Sequence, residues 1–314
     1  MPQNDSDFFE IGPCQPEYYG AALWLVTGGR SLRANRGHVT ALLAAEKQGK
    51  ICFDGLIVAR RGSRIVGAAW CVLQPGRIVT LWGPTLLPSE QDTLAAQLVQ
   101  HGRTYARRED AHLIQSLVSP EQGPAPRYLK ASGFGEVTQV RQLLAYPEQL
   151  GLLPPDASLD FNPAPDIRDS HFQHLVAQTY EGSLDCPELD EMRRVEDVLD
   201  GYLATSSGQT EHWYTIHEEG QPVGTILLAH HAQIDQLELI YFGLLPSVRR
   251  RGLGGELIRF ALHLGAHLRC ESVTAGVDVR NAPAVSLYNR FGFQVADSKS
   301  VFLLPLKPPT AAVA

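Results

Sequence analysis

Three short landmarks occur twice in this chain at almost the same spacing. Val66-Gly67 returns as Val223-Gly224, 157 residues later (223 minus 66). Leu87-Pro88 returns as Leu245-Pro246 after 158 residues (246 minus 88), and Gly133-Phe134 returns as Gly292-Phe293 after 159 (292 minus 133). A nearly constant offset over three landmarks argues for duplication of a whole α/β domain. The length of 314 residues suits two domains of ordinary size. Between the copies, residues 151–166 hold Pro154, Pro155, Pro163 and Pro165. Proline restricts itself and its predecessor, so this stretch reads as a connector entering the first strand of the second copy. The resulting division is a first domain over 6–147, a linker over 148–157 and a second domain over 158–306.

Element patterns follow the same order in both halves. In the first, a strand at 8–13 precedes helices at 17–28 and about 33–48. A hairpin of 55–60 and 64–73 follows, then a strand at 77–83 that ends at Gly83-Pro84. A helix at 89–107, a strand at 112–118, a short helix at 127–132 and a last strand after Phe134 complete it. In the second half the strand is 158–162, and helices at 168–180 and 191–204 flank a loop at 181–190. A hairpin of 212–217 and 222–230 leads to a strand at 237–244, a helix at about 252–268 and a strand at 272–278. A helix at 282–291 and a strand at 299–305 close the chain.

The richest stretch of the second half is 237–255, which passes from an apolar strand through Arg249, Arg250 and Arg251 to a helix beginning with Gly252, Leu253, Gly254 and Gly255. Glycine lets a ligand approach the backbone closely. The first N–H groups of a helix lack intrahelical partners, and the helix dipole adds positive potential there. A strand, a basic glycine-rich turn and a helix start make a phosphate cradle. They also describe an ordinary turn with a solvated basic run, and the stretch alone does not separate the two.

A net charge of −7 argues against a general nucleic-acid binder. The five cysteines (Cys14, Cys52, Cys71, Cys186, Cys270) are scattered and odd in number, with no pair at metal-ligand spacing, so neither a disulfide framework nor a metal site is expected. The polar, acidic first residues do not resemble a signal peptide, and no apolar run is long enough for a membrane span. A cytoplasmic protein with no membrane partner is the expectation; the oligomeric state is not legible.

Two motifs give the second half its resemblance to a family. The first is Arg249-Arg250-Arg251-Gly252-Leu253-Gly254 after a strand. The second is Asn281 followed by a helix that ends in Leu287-Tyr288 and Gly292-Phe293. In this order, behind a hairpin carrying Val223-Gly224, they resemble the GNAT (GCN5-related N-acyltransferase) superfamily over about 158–306, with weaker echoes of the fold over 6–147. The resemblance implies two tandem acyl-CoA N-acyltransferase-like domains in an α/β (α+β) class, each a mixed, mostly antiparallel sheet flanked by helices. It implies acetyl-CoA as co-substrate, an amine acceptor and no metal. Amides of 249–255 would hold the pyrophosphate, with the arginines adding charge. The strand before them would splay from its neighbour, with the backbone at Leu244 pairing with pantetheine and the acyl carbonyl polarised by backbone N–H. Asn281 would fix the coenzyme or the local loop.

Tyr288 is then the candidate general acid for the leaving thiolate, against a reading as an aromatic merely packed on its helix. The base is more open. Glu238 lies eleven residues before Arg249 (249 minus 238), the spacing of the catalytic glutamate in the family's histone acetyltransferases. Period-2 alternation puts it on a face with Ile240, Phe242 and Leu244, where a carboxylate would be easier to protonate. A solvated edge position is the other reading, and His230, His231 and Asp235 are alternatives for the base. The 181–190 loop carries Glu181, Asp185, Glu188 and Asp190, suited to a cationic acceptor or to solvent; Cys186 there has no partner for a covalent role. Under the 158 offset the first half puts Gln91, Leu94 and Ala96 where the second has Arg249, Gly252 and Gly254, and Thr80 for Glu238. Under the 159 offset it puts Leu129 for Tyr288 and Gln122 for Asn281. It reads as a degenerate copy that braces the second or shapes the acceptor cleft. The function expected is N-acetyl transfer by direct attack; a non-catalytic acyl-CoA sensor and an O-acyltransferase are the alternatives.

Overall fold

A computed structural model describes residues 9–28, 32–119, 123–147, 155, 158–190 and 192–306. Phe8, Gln122 and the expected linker at 148–157, Pro155 excepted, lie outside them. The described residues form two compact units, one ending at Val137 and joined by residues 299–306, the other of residues 138–298. The final strand of each sequence half therefore belongs to the unit built by the other half.

The first unit contains β1 (Glu10–Pro13), α1 (Tyr19–Val26), α2 (Leu32–Lys47), β2 (Leu56–Arg61), β3 (Arg64–Gln74), β4 (Ile78–Leu86), α3 (Asp92–Arg108), β5 (Leu113–Val118) and α4 (Ala125–Ala131). Residues 300–305 of the long last strand β12 (Gln294–Pro305) pair antiparallel with β5. β1 to β4 are joined in antiparallel order. β4 and β5 run parallel, paired only from Ile78↔Leu113 to Thr80↔Gln115. β4 does not stop at Gly83-Pro84 but continues to Leu86. Its register with β3 slips by one residue between the pairs Trp70↔Trp82 and Ala68↔Thr85. A bulge tolerates a residue without an N–H where a regular ladder does not.

The second unit takes 140–145 of β6 (Gly135–Ala145) as an edge strand on β11 (Ser272–Asp278). Then follow β10 (Gln236–Leu244), β9 (Gln221–His231), β8 (Trp213–Glu218) and β7 (Leu159–Pro163). α5 (Ser170–Tyr180), α6 (Pro187–Asp190) and α7 (Val195–Thr205) belong to one face; α8 (Leu253–His267) and α9 (Ala282–Arg290) cover the other. β10 is the strand that arranges the site. It pairs parallel with β11 only from Gln236↔Ser272 to Leu239↔Ala275, although it continues to Leu244 and β11 to Asp278. Past Leu239 the two strands part. Against β9 the register slips between Leu239↔Leu228 and Tyr241↔Leu227, so Ile240 is one residue extra. A bulge reverses the alternation of side chains. Leu237, Leu239, Phe242 and Leu244 accordingly pack with α8 and α9, whereas Ile240 and Tyr241 pack with α5 and α7.

The parted end of β11 is fixed by a buried carboxylate. Asp278 is fully buried. It accepts hydrogen bonds from the Thr138 hydroxyl, the Cys186 N–H (3.0 Å), the Arg280 N–H (2.8 Å) and the Arg280 guanidinium (2.8 Å). Its own N–H donates to Asp185 at 2.8 Å. Arg280 continues to Glu188 through two bonds of 2.6 and 2.8 Å. The 183–190 loop is thus tied to the end of β11 and the start of α9. Burial alone would raise the Asp278 carboxyl; the Arg280 and Thr138 bonds and the two N–H groups outweigh it and hold the group at about 2, below the ordinary 3.8.

A depressed native value stabilises the fold above the unfolded value, and that contribution disappears as pH falls from about 4 to about 2. Burial moves Asp185 the other way, so wild-type acid unfolding sums opposed effects. Asp278→Asn isolates the first. Chemical denaturation should find the variant about 3 kcal/mol less stable at pH 7, with the gap to wild type closing toward pH 2. A gap independent of pH would show that the charge of Asp278 does not hold the loop.

Candidate active site

The turn between β10 and α8 is built from its backbone. A 3-10 turn at Pro246–Val248 leads to Arg250 in the left-handed region (φ 62°) and Gly252 at φ 91°, which is the N-cap of α8 and has no side chain to cap it. The N–H groups of Arg250, Arg251, Gly252, Leu253 and Gly254 donate no hydrogen bond among the described residues. Five such donors at the positive end of a fifteen-residue helix are a ready anion site. A side chain at Gly254 would press on Leu287 and Phe242, so the cradle lies against the turn of α9 that precedes Tyr288.

The three arginines differ in employment. Arg249 donates to the carbonyls of Leu244 (3.0 Å), Glu181 (2.7 Å) and Thr179 (2.9 Å), which braces the turn against the end of α5. Arg251 grips Glu218 with two bonds of 2.9 and 2.8 Å. Arg250 is exposed and makes no hydrogen bond or ion pair among the described residues, which leaves it for an incoming anion.

Leu244 ends β10 with the edge toward β11 unpaired from Ile240 onward. Tyr288 lies on the α8/α9 side, only 4% exposed, with its ring edge-on to Phe242 (centroids 6.3 Å) and Phe293 (5.1 Å). Its hydroxyl makes no hydrogen bond among the described residues. Burial, with the charge of Asp185 second, pushes the phenol well above its ordinary value, so it keeps its proton. Asn281 caps α9 by accepting from the Ala284 N–H at 3.2 Å, and it lowers the carboxyl of Asp185 in the neighbouring loop against the effect of burial. Its partners are the local loop and helix.

Glu238 does not share a face with Phe242 and Leu244. The bulge at Ile240 puts it on the opposite, α5/α7 side, a reversal that period-2 reading cannot foresee. There its carboxylate, 37% exposed, meets His231 Nε2 at 2.9 Å. His230 turns edge-on to His212, and Asp235 occupies a left-handed turn whose carbonyl accepts the Glu271 N–H. Two of the four acids of the loop are occupied, Asp185 by the Asp278 N–H and Glu188 by Arg280, while Glu181 is exposed. The Asp190 side chain lies outside the described residues. Cys186 is pushed far up by burial and by Asp185 and Asp278, so it is a thiol rather than a thiolate.

Sequence reasoning missed three features: the Asp278–Arg280 pin, the bulge, and a stack of tyrosines on the α5/α7 side. Tyr180 and Tyr202 both lie over Tyr241, with centroids 5.0 and 5.5 Å away, and their hydroxyls bond each other. The Tyr241 hydroxyl meets Thr179 Oγ1 at 2.8 Å, and a side chain at Gly243 would run into both. These tyrosines fall in three separate elements, so no spacing could have announced them.

In the first unit the equivalent turn is different. Matching buried positions of the helices, Leu94 with Leu253, Leu98 with Leu257 and Val99 with Ile258, gives an offset of 159 (253 minus 94), not the 158 of the preceding strand. Leu94 is therefore the counterpart of buried Leu253, not of Gly252. Thr93 and Ala95 stand for Gly252 and Gly254, and Glu90 and Asp92 stand for Arg249 and Arg251. Glu90 pairs with Arg61 and Asp92 with Arg127. Carboxylates at this helix start repel a phosphate. Among the described residues no group of three or more His, Cys, Asp or Glu could hold a metal ion, and no helix is long and apolar enough to cross a membrane.

Residues 174–293 match the model of the acetyltransferase (GNAT) family. Over 68 residues the chain is 40% identical to a mycothiol acetyltransferase of Corynebacterium glutamicum, a match that covers 21% of this chain and 22% of that protein. It thus spans about a fifth of the length of the curated relatives it matches. A GCN5-related N-acetyltransferase from Sphaerobacter thermophilus shares the fold over 97% of this chain and 98% of its own, with a TM-score of 0.62 at 16% identity. A tandem GNAT protein from the clavulanic acid biosynthesis pathway does so over 96% and 100%, with a TM-score of 0.53 at 16% identity. Residues 174–293 thus carry a domain that matches the acetyltransferase (GNAT) family model, and a first copy of the same fold, without the basic glycine-rich turn, precedes it.

Proposed function

We propose that the protein is an acetyl-CoA-dependent N-acetyltransferase whose second unit passes an acetyl group directly to a primary amine. The carrying observation is the free edge of β10, with five unpartnered amides at the α8 end and an unbonded phenol hydroxyl beside it. In this reading the amides of 250–254 and the Arg250 guanidinium hold the pyrophosphate, and pantetheine pairs with the edge near Leu244. The thioester carbonyl lies at the bulge, polarised by backbone N–H.

The acceptor enters from the α5/α7 face. Glu238, with His231, takes the proton of the ammonium. The free amine attacks the thioester carbon, the C–N bond forms, and negative charge gathers on the carbonyl oxygen. Collapse breaks the C–S bond while Tyr288 delivers its proton to the sulfur; the nitrogen gives up its second proton to solvent, Glu238 releases the one it took, and the phenolate regains one. The products are the acetamide, coenzyme A thiol and one proton. Burial keeps the phenol protonated at neutral pH, the state a general acid needs before the thiolate leaves.

Three measurements test these roles. Tyr288→Phe should lower kcat about a hundredfold and leave acetyl-CoA affinity within twofold; an unchanged kcat removes Tyr288 from the chemistry. Glu238→Gln should lower kcat/KM about tenfold near neutral pH and recover toward wild type as pH approaches that of the free amine, whereas a pH-independent loss would make Glu238 structural. Arg250→Ala should weaken acetyl-CoA binding about fivefold, an effect that shrinks with added salt, and a Kd that does not move assigns the pyrophosphate elsewhere.

A further inference from the structure

The α5/α7 face of the second unit holds a cation that the fold leaves unsatisfied. Arg193 lies just before α7. Its Nε is buried and has no hydrogen-bond partner, and its guanidinium makes no ion pair among the described residues. Its charge reaches both the Tyr180 phenol and the Asp185 carboxyl. Tyr180 stacks on Tyr241, the residue that follows the bulge at Ile240 where β10 and β11 part. Arg193 therefore borders the approach to the open strand edge.

A buried donor without an acceptor is costly, and a native fold retains one where a ligand completes it. Among the described residues, two carboxylates of the preceding loop are engaged elsewhere. Asp185 accepts from the Asp278 N–H, and Glu188 is held twice by Arg280. Two of the acids of the 181–190 sequence are thus cancelled within the protein, while Arg193 keeps its charge for a ligand. On the same face Glu238 keeps a partly exposed carboxylate.

We infer that the acceptor amine also carries a carboxylate, which the guanidinium of Arg193 receives as its paired acceptor while the amino group is directed to Glu238. A planar fork of N–H donors matches a carboxylate, and the tyrosine stack supplies a flat wall for the carbon skeleton. This rests on the transferase reading above, and names the class of its acceptor as an amino acid or a compound with that pair of groups. A diamine or amino sugar without an acid would leave Arg193 unpaired.

The test uses the full-length protein, acetyl-CoA and matched sets of primary amines: amino acids, their carboxamides and the corresponding decarboxylated amines. Thiol release is followed together with acetyl-CoA affinity. The expected result is a preferred amino acid used about 30-fold better in kcat/KM than its carboxamide. Arg193→Gln should erase that preference by lowering kcat/KM for the acid alone, and Arg193→Lys should restore part of it. Carboxamides or decarboxylated amines used as well as the acids, or an Arg193→Gln loss equal for all three, overturns the inference and leaves the transferase reading intact. Acetyl-CoA binding without thiol release for every amine overturns both.

Discussion

An ionised carboxylate cannot be taken fully out of water unless donors surround it, and Asp278 meets that condition with groups drawn from three parts of the chain. Thr138 comes from β6, Cys186 from the loop after α5, and Arg280 from the approach to α9. Once these donors are committed, three features follow together. The end of β11 stays where β10 has left it, the 183–190 loop is closed down through Asp185 and Glu188, and α9 starts at Asn281 with Tyr288 on its buried side. An apolar residue at 278 could fill the volume but could not specify which backbone N–H groups come to it. That is the sense in which a polar contact fixes geometry where a hydrophobic core fixes only association.

The bulge at Ile240 has a comparable reach. A regular strand would present Glu238, Phe242 and Leu244 to one side. One extra residue sends the carboxylate to the α5/α7 face and keeps the apolar pair against α8 and α9. Base and acid candidates are then separated by the sheet itself, with the open strand edge between them. Direct attack requires that the amine and the leaving sulfur be served from different directions, and a sheet parted at one strand meets that requirement without a deep cavity.

Legibility followed the range of the interactions. Short-range signals held well. The helix after the basic turn was expected from about 252 to 268 and runs from Leu253 to His267, with its glycine N-cap as the local cause. Asn281, expected to fix the coenzyme or the local loop, is the N-cap of the helix that follows it. Pro84 misled because proline stops a regular ladder, whereas β4 passes it at a register slip. What depended on tertiary pairing was invisible: the bulge, the tyrosine stack, and the partners that occupy Arg249, Arg251, Asp185 and Glu188. Composition read the arginines as available charge and the loop as acidic, but a charge is available only where the fold gives it no counterpart.

That distinction also explains how one duplicated fold has come to carry two different turns. The helix starts of the two units share their buried positions, Leu94 with Leu253 and Leu98 with Leu257, because both must pack on a sheet. Nothing in that packing demands the residues just ahead. In the second unit they are Arg249 to Gly252, and the backbone takes the left-handed turns at Arg250 and Gly252 that leave five N–H groups facing outward. A left-handed arginine is strained by about 1 kcal/mol, a cost the core does not repay. In the first unit Glu90 and Asp92 occupy the matching positions, paired with Arg61 and Arg127, and their charge suits the positive end of the helix. One turn carries negative charge where the other leaves five donors without acceptors among the described residues, and that difference is what separates the two copies.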